Sequence, residues 1–258
     1  MKKKIWNIIF WVIMIALAAV FAFNGTQFLQ KYFDYSNAEK EYSALKQYGP
    51  VFTNPPKVTA NPNHTGEPNQ IQTAGLNVVA LKKINPEFVG WITIPGTNID
   101  YPMVQTNDNT FYLQHSFKKE RNSTGAIFLD YRMSGDFLAR NTIIYGHHMR
   151  NDTMFAQLNL FKNQYFSQLH PSVFIDTAGK RMRYEYFASY LLPGNKDVLK
   201  ADFLDDASFS SYLKQIQSIA SYHPNVKVTA KDRILTLVTC TYEYEDARFV
   251  AHFRLVPN

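Results

Sequence analysis

The sequence is poor in cysteine, with Cys240 as the single thiol among 258 residues. One cysteine excludes an intrachain disulfide and any zinc site that needs several thiolates. An unpaired thiol is vulnerable to oxidation outside the cytoplasm, so a thiol retained in an extracytoplasmic domain would indicate a reactive role. Cys240 is therefore the first candidate for chemistry.

Runs of basic residues are also scarce. The formal net charge is +6, of which Lys2, Lys3 and Lys4 supply a part, and the remaining basic residues are scattered. Nucleic-acid-binding proteins concentrate Lys and Arg on one face or in one stretch, so we expect no nucleic-acid partner. No repeat of solenoid period is present. Hydrophobic residues make up 46% of the chain, which is ample for a core and argues against disorder.

The one long apolar run covers residues 5–23 and contains no charged residue. Its length suits a helix that crosses a hydrocarbon core of about 30 Å. A cleaved signal peptide is the competing interpretation, but such peptides have a shorter apolar region that ends in small residues, whereas this run ends at Phe23. We predict a cytoplasmic tail over 1–4, a transmembrane anchor over 5–23 and a single-pass protein of the cell membrane with its remainder outside.

The next segments connect this anchor to the rest of the chain. Aromatic and apolar residues near helical spacing predict a helix over 27–48, within a juxtamembrane segment 24–50 that ends at Gly49-Pro50. Residues 51–75 are rich in Pro, Asn and Thr and read as a linker. We assign the main folded domain, the candidate for catalysis, to residues 76–258.

The pattern from residue 76 onwards is rich in short strands. Apolar runs bounded by turn residues predict strands at 88–94, 99–104, 126–129, 142–145, 173–177, 181–192, 234–240 and 249–256. Helical patterns are fewer, with a turn over 109–114, a short helix over 154–161 and a clear amphipathic helix over 207–220. The predicted fold is mainly β, a closed or nearly closed barrel with peripheral helices.

Cys240 ends one of the predicted strands, and a polar, acidic loop separates it from the next strand. If the two strands pair as a hairpin, Cys240 faces Arg248 across the loop mouth, with Cβ atoms about 4.5–5.5 Å apart. A thiol beside a guanidinium is an arrangement that is typical of a reactive site. A buried structural cysteine beside a surface arginine is the alternative that spacing alone leaves open.

A cysteine nucleophile needs a basic partner, most often a histidine. Of the seven histidines, His147 ranks first because a buried-type strand runs through Gly146 into it. His148 ranks second. His252 ranks third, since strand alternation places it on the face of Arg248.

Several segments resemble the sortase family of cysteine transpeptidases. NTIIYGHHM (141–149), TLVTC (236–240) and a downstream arginine occur in the family's order. GWITIPGTNIDYPMVQ (90–105), FYLQHSF (111–117) and GAIFLDYR (125–132) are similar to class B sortases in particular. The resemblance spans about residues 77–257 and implies a sortase-type closed β-barrel behind an N-terminal transmembrane helix.

The resemblance also implies residue roles. Cys240 would be the nucleophile, His147 the acid–base partner, and Arg248, in preference to Arg254, the arginine that contacts the reacting groups. A peptide groove would be lined by Asn109, Leu113, Tyr145, Val238 and Thr239.

The implied reaction cleaves a C-terminal NPxTx-like sorting signal after threonine through a thioester. The released surface protein would then pass to the amine of a lipid-linked peptidoglycan precursor, and neither a metal nor another cofactor would be needed. A pilin-polymerising sortase and a peptidase that mainly hydrolyses remain alternatives. A binding module with an inert cysteine and a metal site of His147, His148 and Cys240 are disfavoured, the latter because adjacent strand residues point in opposite directions.

Overall fold

The structure is a computed structural model that describes residues 2–51, 75–193, 199–222, 224–240 and 247–257. The predicted linker, 51–75, lies outside the described residues except for its two ends, and so does the loop 241–246 between Cys240 and Ala247. His64 and His223 also lie outside them.

Eight strands form the body of the fold in the part of the chain that the structure describes. They are β1 (Phe88–Thr93), β2 (Asp100–Val104), β3 (Ile127–Leu129), β4 (Asn141–Tyr145), β5 (Ser172–Thr177), β6 (Lys180–Pro193), β7 (Ile234–Cys240) and β8 (Ala247–Leu255). The sheet closes into a barrel in the order β1-β2-β3-β4-β7-β8-β6-β5. Closure leaves no open edge among these eight described strands, and it confirms the predicted mainly β barrel.

The strand bounds follow the predicted ones within one or two residues, since each run of β-branched and aromatic residues ends at a turn signal. Proline in a strand is tolerated where no ladder needs its missing N–H. Pro102 lies opposite Trp91 in the ladder to β1, and the ladder to β3 includes only Met103 and Val104. β5 and β6 pair as the predicted hairpin around Gly179.

The helices are less completely predicted. The amphipathic helix is observed as α4 (Asp206–Ile219), numbered after three earlier helices, and the Asp205 carboxylate caps it by accepting from Ser208 N at 2.7 Å. The helix predicted at 154–161 is a 3₁₀ segment, Ala156–Lys162. Two short helices, α2 (Val78–Ile84) and α3 (Gln164–Leu169), occur where the sequence pattern indicates none. Each begins at an asparagine cap. Both helices are too short to show the apolar periodicity on which the helix predictions rest.

The N-terminal region is one continuous helix, α1 (Lys2–Leu45), followed by a 3₁₀ turn, Lys46–Tyr48. The sequence predicts an anchor and a separate juxtamembrane helix, but the structure runs them together without a break at Asn24-Gly25. α1 is long and apolar enough in its first half to cross a membrane, and its apolar side chains, such as Trp6 and Phe21, are exposed there.

The last three turns of α1 pack on the barrel domain. Ala38, Tyr42 and Leu45 are buried there. The Tyr42 hydroxyl donates to the carbonyl oxygen of Gly125 at 2.9 Å, in the loop that precedes β3. The Glu41 carboxylate accepts from the backbone N–H of Lys118 at 2.9 Å in the same loop. α1 is therefore part of the folded domain as well as a candidate membrane span.

Replacement of Tyr42 by phenylalanine tests this docking. The change leaves the Gly125 carbonyl buried without its donor, so we expect the free energy of unfolding of the full chain in detergent to fall by about 1–2 kcal/mol. Urea denaturation followed by tyrosine and tryptophan fluorescence measures it. Tyr32→Phe, on an exposed part of the same helix, is the control and should change stability by less than about 0.5 kcal/mol. Equal stability of the two variants would contradict the docking role.

Candidate active site

Three strands bring chemically capable side chains to one end of the barrel. β4 and β7 are parallel neighbours, so their C-terminal ends lie together. β8 is antiparallel to β7 and begins where β7 ends. His147 follows β4 after one glycine, Cys240 ends β7, and Arg248 is the second residue of β8. The topology thus collects a thiol, an imidazole and a guanidinium at the same rim.

Cys240 and Arg248 are direct partners in the β7–β8 ladder. This register confirms the predicted hairpin and places the two Cβ atoms roughly 4.5–5.5 Å apart. Cys240 is exposed, whereas every other residue of β7 is buried. The exposure excludes the alternative of a buried structural cysteine.

The ring of His147 is held by a backbone contact. Its Nε2 lies 2.7 Å from the carbonyl oxygen of Leu113, and since a carbonyl can only accept, Nε2 carries a proton and donates. This contact leaves Nδ1 as the ring nitrogen that can exchange a proton with a neighbouring group. His147 is half-buried, so it is both fixed and reachable.

Two glycines allow the close packing that positions His147. A Cβ on Gly146 would lie 2.5 Å from Cδ1 of Ile127 and 2.6 Å from Cγ of Phe155, so only glycine fits between them. A Cβ on Gly125 would lie 2.9 Å from Cδ2 of His147 itself. Gly125 also has a positive φ of 60°, a conformation that favours glycine. The loop that receives α1 through Tyr42 is therefore the same loop that supports the imidazole.

His148 points to a different partner. Its Nδ1 lies 3.1 Å from the carbonyl oxygen of Cys240 and 3.0 Å from the Asn159 side-chain amide. The ring thus contacts the backbone at the end of β7. The two adjacent imidazoles contact separate carbonyls, of Leu113 and of Cys240.

His252, the third-ranked histidine, is a core residue. It pairs in register with Thr236, four positions before Cys240, and is fully buried between the hydroxyls of Thr236 at 2.9 Å and Tyr190 at 3.1 Å. Burial lowers the pKa of His252 to about 3, which keeps the ring neutral. Alternation puts it on the face of Arg248, but its depth in the strand removes it from the rim.

This burial predicts a pH dependence of stability. The pKa of His252 is about 3 in the folded state and about 6.5 in the unfolded state, so in this interval only the unfolded chain binds the proton. The contribution of neutral His252 to the free energy of unfolding is fully present above about pH 6.5. It is lost at up to ~1.4 kcal/mol per pH unit as the pH falls toward 3. Urea midpoints measured from about pH 7.5 to about pH 4.5 should show a shallower decline for His252→Gln than for the wild type. Parallel declines would contradict the assignment.

The residues expected to line a peptide groove divide into two groups. Asn109 and Tyr145 are half-buried near the rim, and Leu113 exposes 37% of its surface. Val238 and Thr239 are buried, at 3% and 2% exposure, so in this structure their side chains are covered. The structure therefore offers three of the five side chains to a ligand.

Sequence reasoning passed over Asp130, which connects this region. Its carboxylate is buried directly after β3 and accepts from the Arg132 side chain, from Asn109 Nδ2 at 3.0 Å and from the Tyr145 hydroxyl at 3.0 Å. Burial raises the pKa of Asp130, but the hydrogen bonds and charge of Arg132 outweigh it and hold that pKa below its usual value. Burial and the neighbouring carboxylate raise the pKa of Tyr145. The sequence signal that could have identified Asp130 is a charged residue directly after an apolar strand.

Comparisons with known proteins identify the family to which the chain belongs. The family model for the Sortase domain matches residues 92–256. Sortase B of Listeria monocytogenes is 40% identical over 68% of this chain and 72% of its own length. The crystal structure of sortase B from Clostridium perfringens superposes with a TM-score of 0.67 at 38% identity, covering 69% of this chain and 99% of that one. A sortase B–substrate complex from Staphylococcus aureus gives a TM-score of 0.65 at 33% identity, covering 69% and 83%. The chain therefore belongs to the sortase family of transpeptidases, within class B.

Proposed function

We propose that this protein is a membrane-anchored cysteine transpeptidase that cleaves an NPxTx-like C-terminal sorting signal after its threonine. The observation that carries the proposal is the convergence of Cys240, His147 and Arg248 at one end of the barrel. A strand-end thiol that is exposed, beside a guanidinium and a held imidazole, suits acyl transfer.

The first half of the reaction would form a thioester. The Cys240 sulfur attacks the carbonyl carbon of the substrate threonine, and the thiol proton passes to Nδ1 of His147. The S–C bond forms, the scissile C–N bond breaks, and His147 returns the proton to the leaving amine. The Leu113 carbonyl, as acceptor from Nε2, stabilises the imidazolium while it carries the extra charge.

Arg248 would act on the oxygen of the same carbonyl. Negative charge develops on this oxygen as sulfur attacks, and a guanidinium placed across from the nucleophile can donate to it. Because Arg248 is half-buried, its interaction is less screened than that of a fully exposed charge. Nucleophile and charge donor come from paired strands, so the ladder itself sets their separation.

The second half of the reaction would transfer the acyl group. An amine attacks the thioester carbonyl, His147 accepts the amine's proton, and the C–S bond breaks to release Cys240. The amine would belong to a lipid-linked peptidoglycan precursor, and the acyl donor would be a surface protein that carries the sorting signal. No metal or redox cofactor enters either half. A membrane location for α1, with the basic N-terminus inside, would hold the enzyme where such a precursor is found.

Peptide binding would use the surface beside the rim. Asn109, Leu113 and Tyr145 lie on the β3–β4 side of His147, and the sortase B of Staphylococcus aureus has been solved as a substrate complex. We assign the extended sorting peptide of this protein to that surface. Val238 and Thr239 would support its floor from within the barrel.

The test is a two-substrate assay with the full chain in detergent. An NPxTG-type peptide is incubated with and without an oligoglycine amine, and the products are weighed by mass spectrometry. We expect the fragment that ends in threonine to be joined to the amine. The same peptide with an LPxTG-type signal is the control and should react more slowly.

Three results would revise the proposal. A free-acid product that is unaffected by the amine would indicate a hydrolysing peptidase. Preference for a lysine-containing peptide acceptor over oligoglycine would indicate a pilin-polymerising sortase. The absence of any cleavage under both conditions would contradict transpeptidation of this signal class.

A further inference from the structure

The carboxylate of Asp130 is the most heavily engaged charged group near the rim. Its side chain has no exposed surface. Arg132 donates from Nε to Oδ1 at 2.9 Å and from Nη2 to Oδ2 at 2.8 Å. The backbone N–H of Arg132 also donates to Oδ1, at 3.0 Å. These bonds fix the plane of the carboxylate and leave Oδ2 directed toward the groove side chains.

Oδ2 is shared by two of those side chains. Asn109 Nδ2 and the Tyr145 hydroxyl both donate to it at 3.0 Å. Asn109 is held at its other end as well, since its Oδ1 accepts from the backbone N–H of Tyr131 at 3.0 Å. The orientation of the amide is thereby set from both ends.

We propose that Asp130 is a positioning residue that sets the hydrogen-bonding polarity of the peptide groove through Asn109 and Tyr145. The inference rests on the proposed function of the site and adds to it the chemistry that the groove presents. The Tyr145 hydroxyl donates its single proton to Asp130. Its oxygen can therefore only accept a hydrogen bond from a ligand. Asn109 presents one remaining N–H and one remaining lone pair. The groove at Tyr145 therefore selects a peptide group that donates a hydrogen bond, such as a backbone N–H or a side-chain hydroxyl or amide.

The charge of Asp130 is what enforces this polarity. An ionised carboxylate only accepts, so both neighbours must donate to it. A neutral amide in its place can donate to the Tyr145 oxygen, which would free the Tyr145 proton and turn the hydroxyl into a donor toward the groove. Asp130→Asn thus keeps the size of the side chain and reverses the polarity that the ligand meets.

The experiment compares peptide binding and turnover for Asp130→Asn. We expect its KM for the NPxTG-type peptide to rise by about 10-fold or more, with kcat reduced by less than about 3-fold, because the groove changes while the reacting groups stay in place. Alkylation of Cys240 by iodoacetamide should keep its wild-type rate within about 2-fold. A fall in kcat at unchanged KM, or a wild-type KM, would overturn the proposal.

Asp176→Asn is the matched control for lost stability. Asp176 is 1% exposed and makes the same two-point pair with Arg181, at 2.8 and 2.9 Å. It lies in β5, which shares no ladder with β4, β7 or β8 among the described pairings. Both variants should melt at lower temperature, but only Asp130→Asn should raise the KM. A similar KM increase in both variants would assign the effect to general destabilisation and overturn the proposal.

Two further measurements separate this inference from the proposed reaction. In the Cys240→Ala background, titration of the peptide reports affinity without turnover, and we expect Asp130→Asn to weaken it by about 10-fold. Affinity equal to that of the parent would overturn the inference even if transfer is observed. In a double-mutant cycle, Asn109→Ala should add little to Asp130→Asn because the two act as one unit, whereas full additivity would show that they act separately.

Discussion

Replacement of Cys240 by alanine is expected to remove both cleavage and transfer of the sorting peptide. Cys240 supplies the only thiol in the sequence, and loss of a covalent nucleophile costs more than about 10⁴-fold in turnover. Because the side chain is exposed at the end of β7, alanine leaves no cavity and the fold should be retained. Product masses from the wild type and Cys240→Ala check the loss of activity. Thermal melting of the two proteins checks that the fold is retained.

A covalent adduct gives a second readout for the same prediction. Wild-type protein that is quenched during turnover should gain the mass of the peptide fragment that ends in threonine, and Cys240→Ala should gain none. An unchanged product trace in the variant would refute the nucleophile assignment. Loss of the folded melting transition would instead show that the variant reports on the fold, and Cys240→Ser, closer in size, would then replace it.

Replacement of Arg248 by lysine is expected to lower kcat by about 10²–10³-fold with a smaller change in KM. The substitution keeps the positive charge but removes the planar fork of N–H donors, and loss of one aligned donor to a developing oxyanion has an effect of this size. Among the described pairings of β7 and β8, Arg248 is the residue opposite Cys240. Steady-state kinetics with the peptide and the amine measure the change.

Arg254→Lys is the matched control on the same strand. Arg254 pairs in register with Ile234, at the opposite end of β7 from Cys240, and its guanidinium contacts Glu185 at 3.0 Å and the carbonyl oxygen of Lys227. We expect kcat and KM to change by less than about 2-fold, since this partly exposed ion pair lies at the other end of the strand from the reacting groups. Full activity of Arg248→Lys together with a large loss in Arg254→Lys would move the role to Arg254.

Local sequence patterns were sufficient for the strands and for one helix. The alternation in ILTLVTC and its short separation from the next apolar run predict both β7–β8 pairing and the Cys240–Arg248 register, because a hairpin depends only on residues close in the chain. The apolar stripe and a capping aspartate at 205 or 206 likewise predict α4, and the structure uses Asp205. The barrel could be predicted because many short strands with few helices have few other ways to cover their edges.

Longer-range contacts were out of reach of these patterns. Local context and the resemblance rank His147 above His252, but only the fold shows the physical reason. The parallel β4–β7 ladder brings the end of β4 to Cys240, whereas His252 is enclosed between Thr236 and Tyr190. The continuity of α1 through Gly25 was missed, since the apolar run that ends at Phe23 and the helical pattern that begins at Gln27 were interpreted as separate elements.

The sequence by itself determined the elements, the hairpin that opposes a thiol to a guanidinium, and the resemblance that predicts the chemistry. The tertiary structure alone decided that His252 is enclosed in the core, and that the buried Asp130 holds Asn109 and Tyr145 in place. The physical reason is that strand periodicity and turn formation are local, while burial, parallel pairing and shared hydrogen bonds depend on residues far apart in the chain. A carboxylate that looks like a surface charge in the sequence becomes an organising group only when the barrel encloses it.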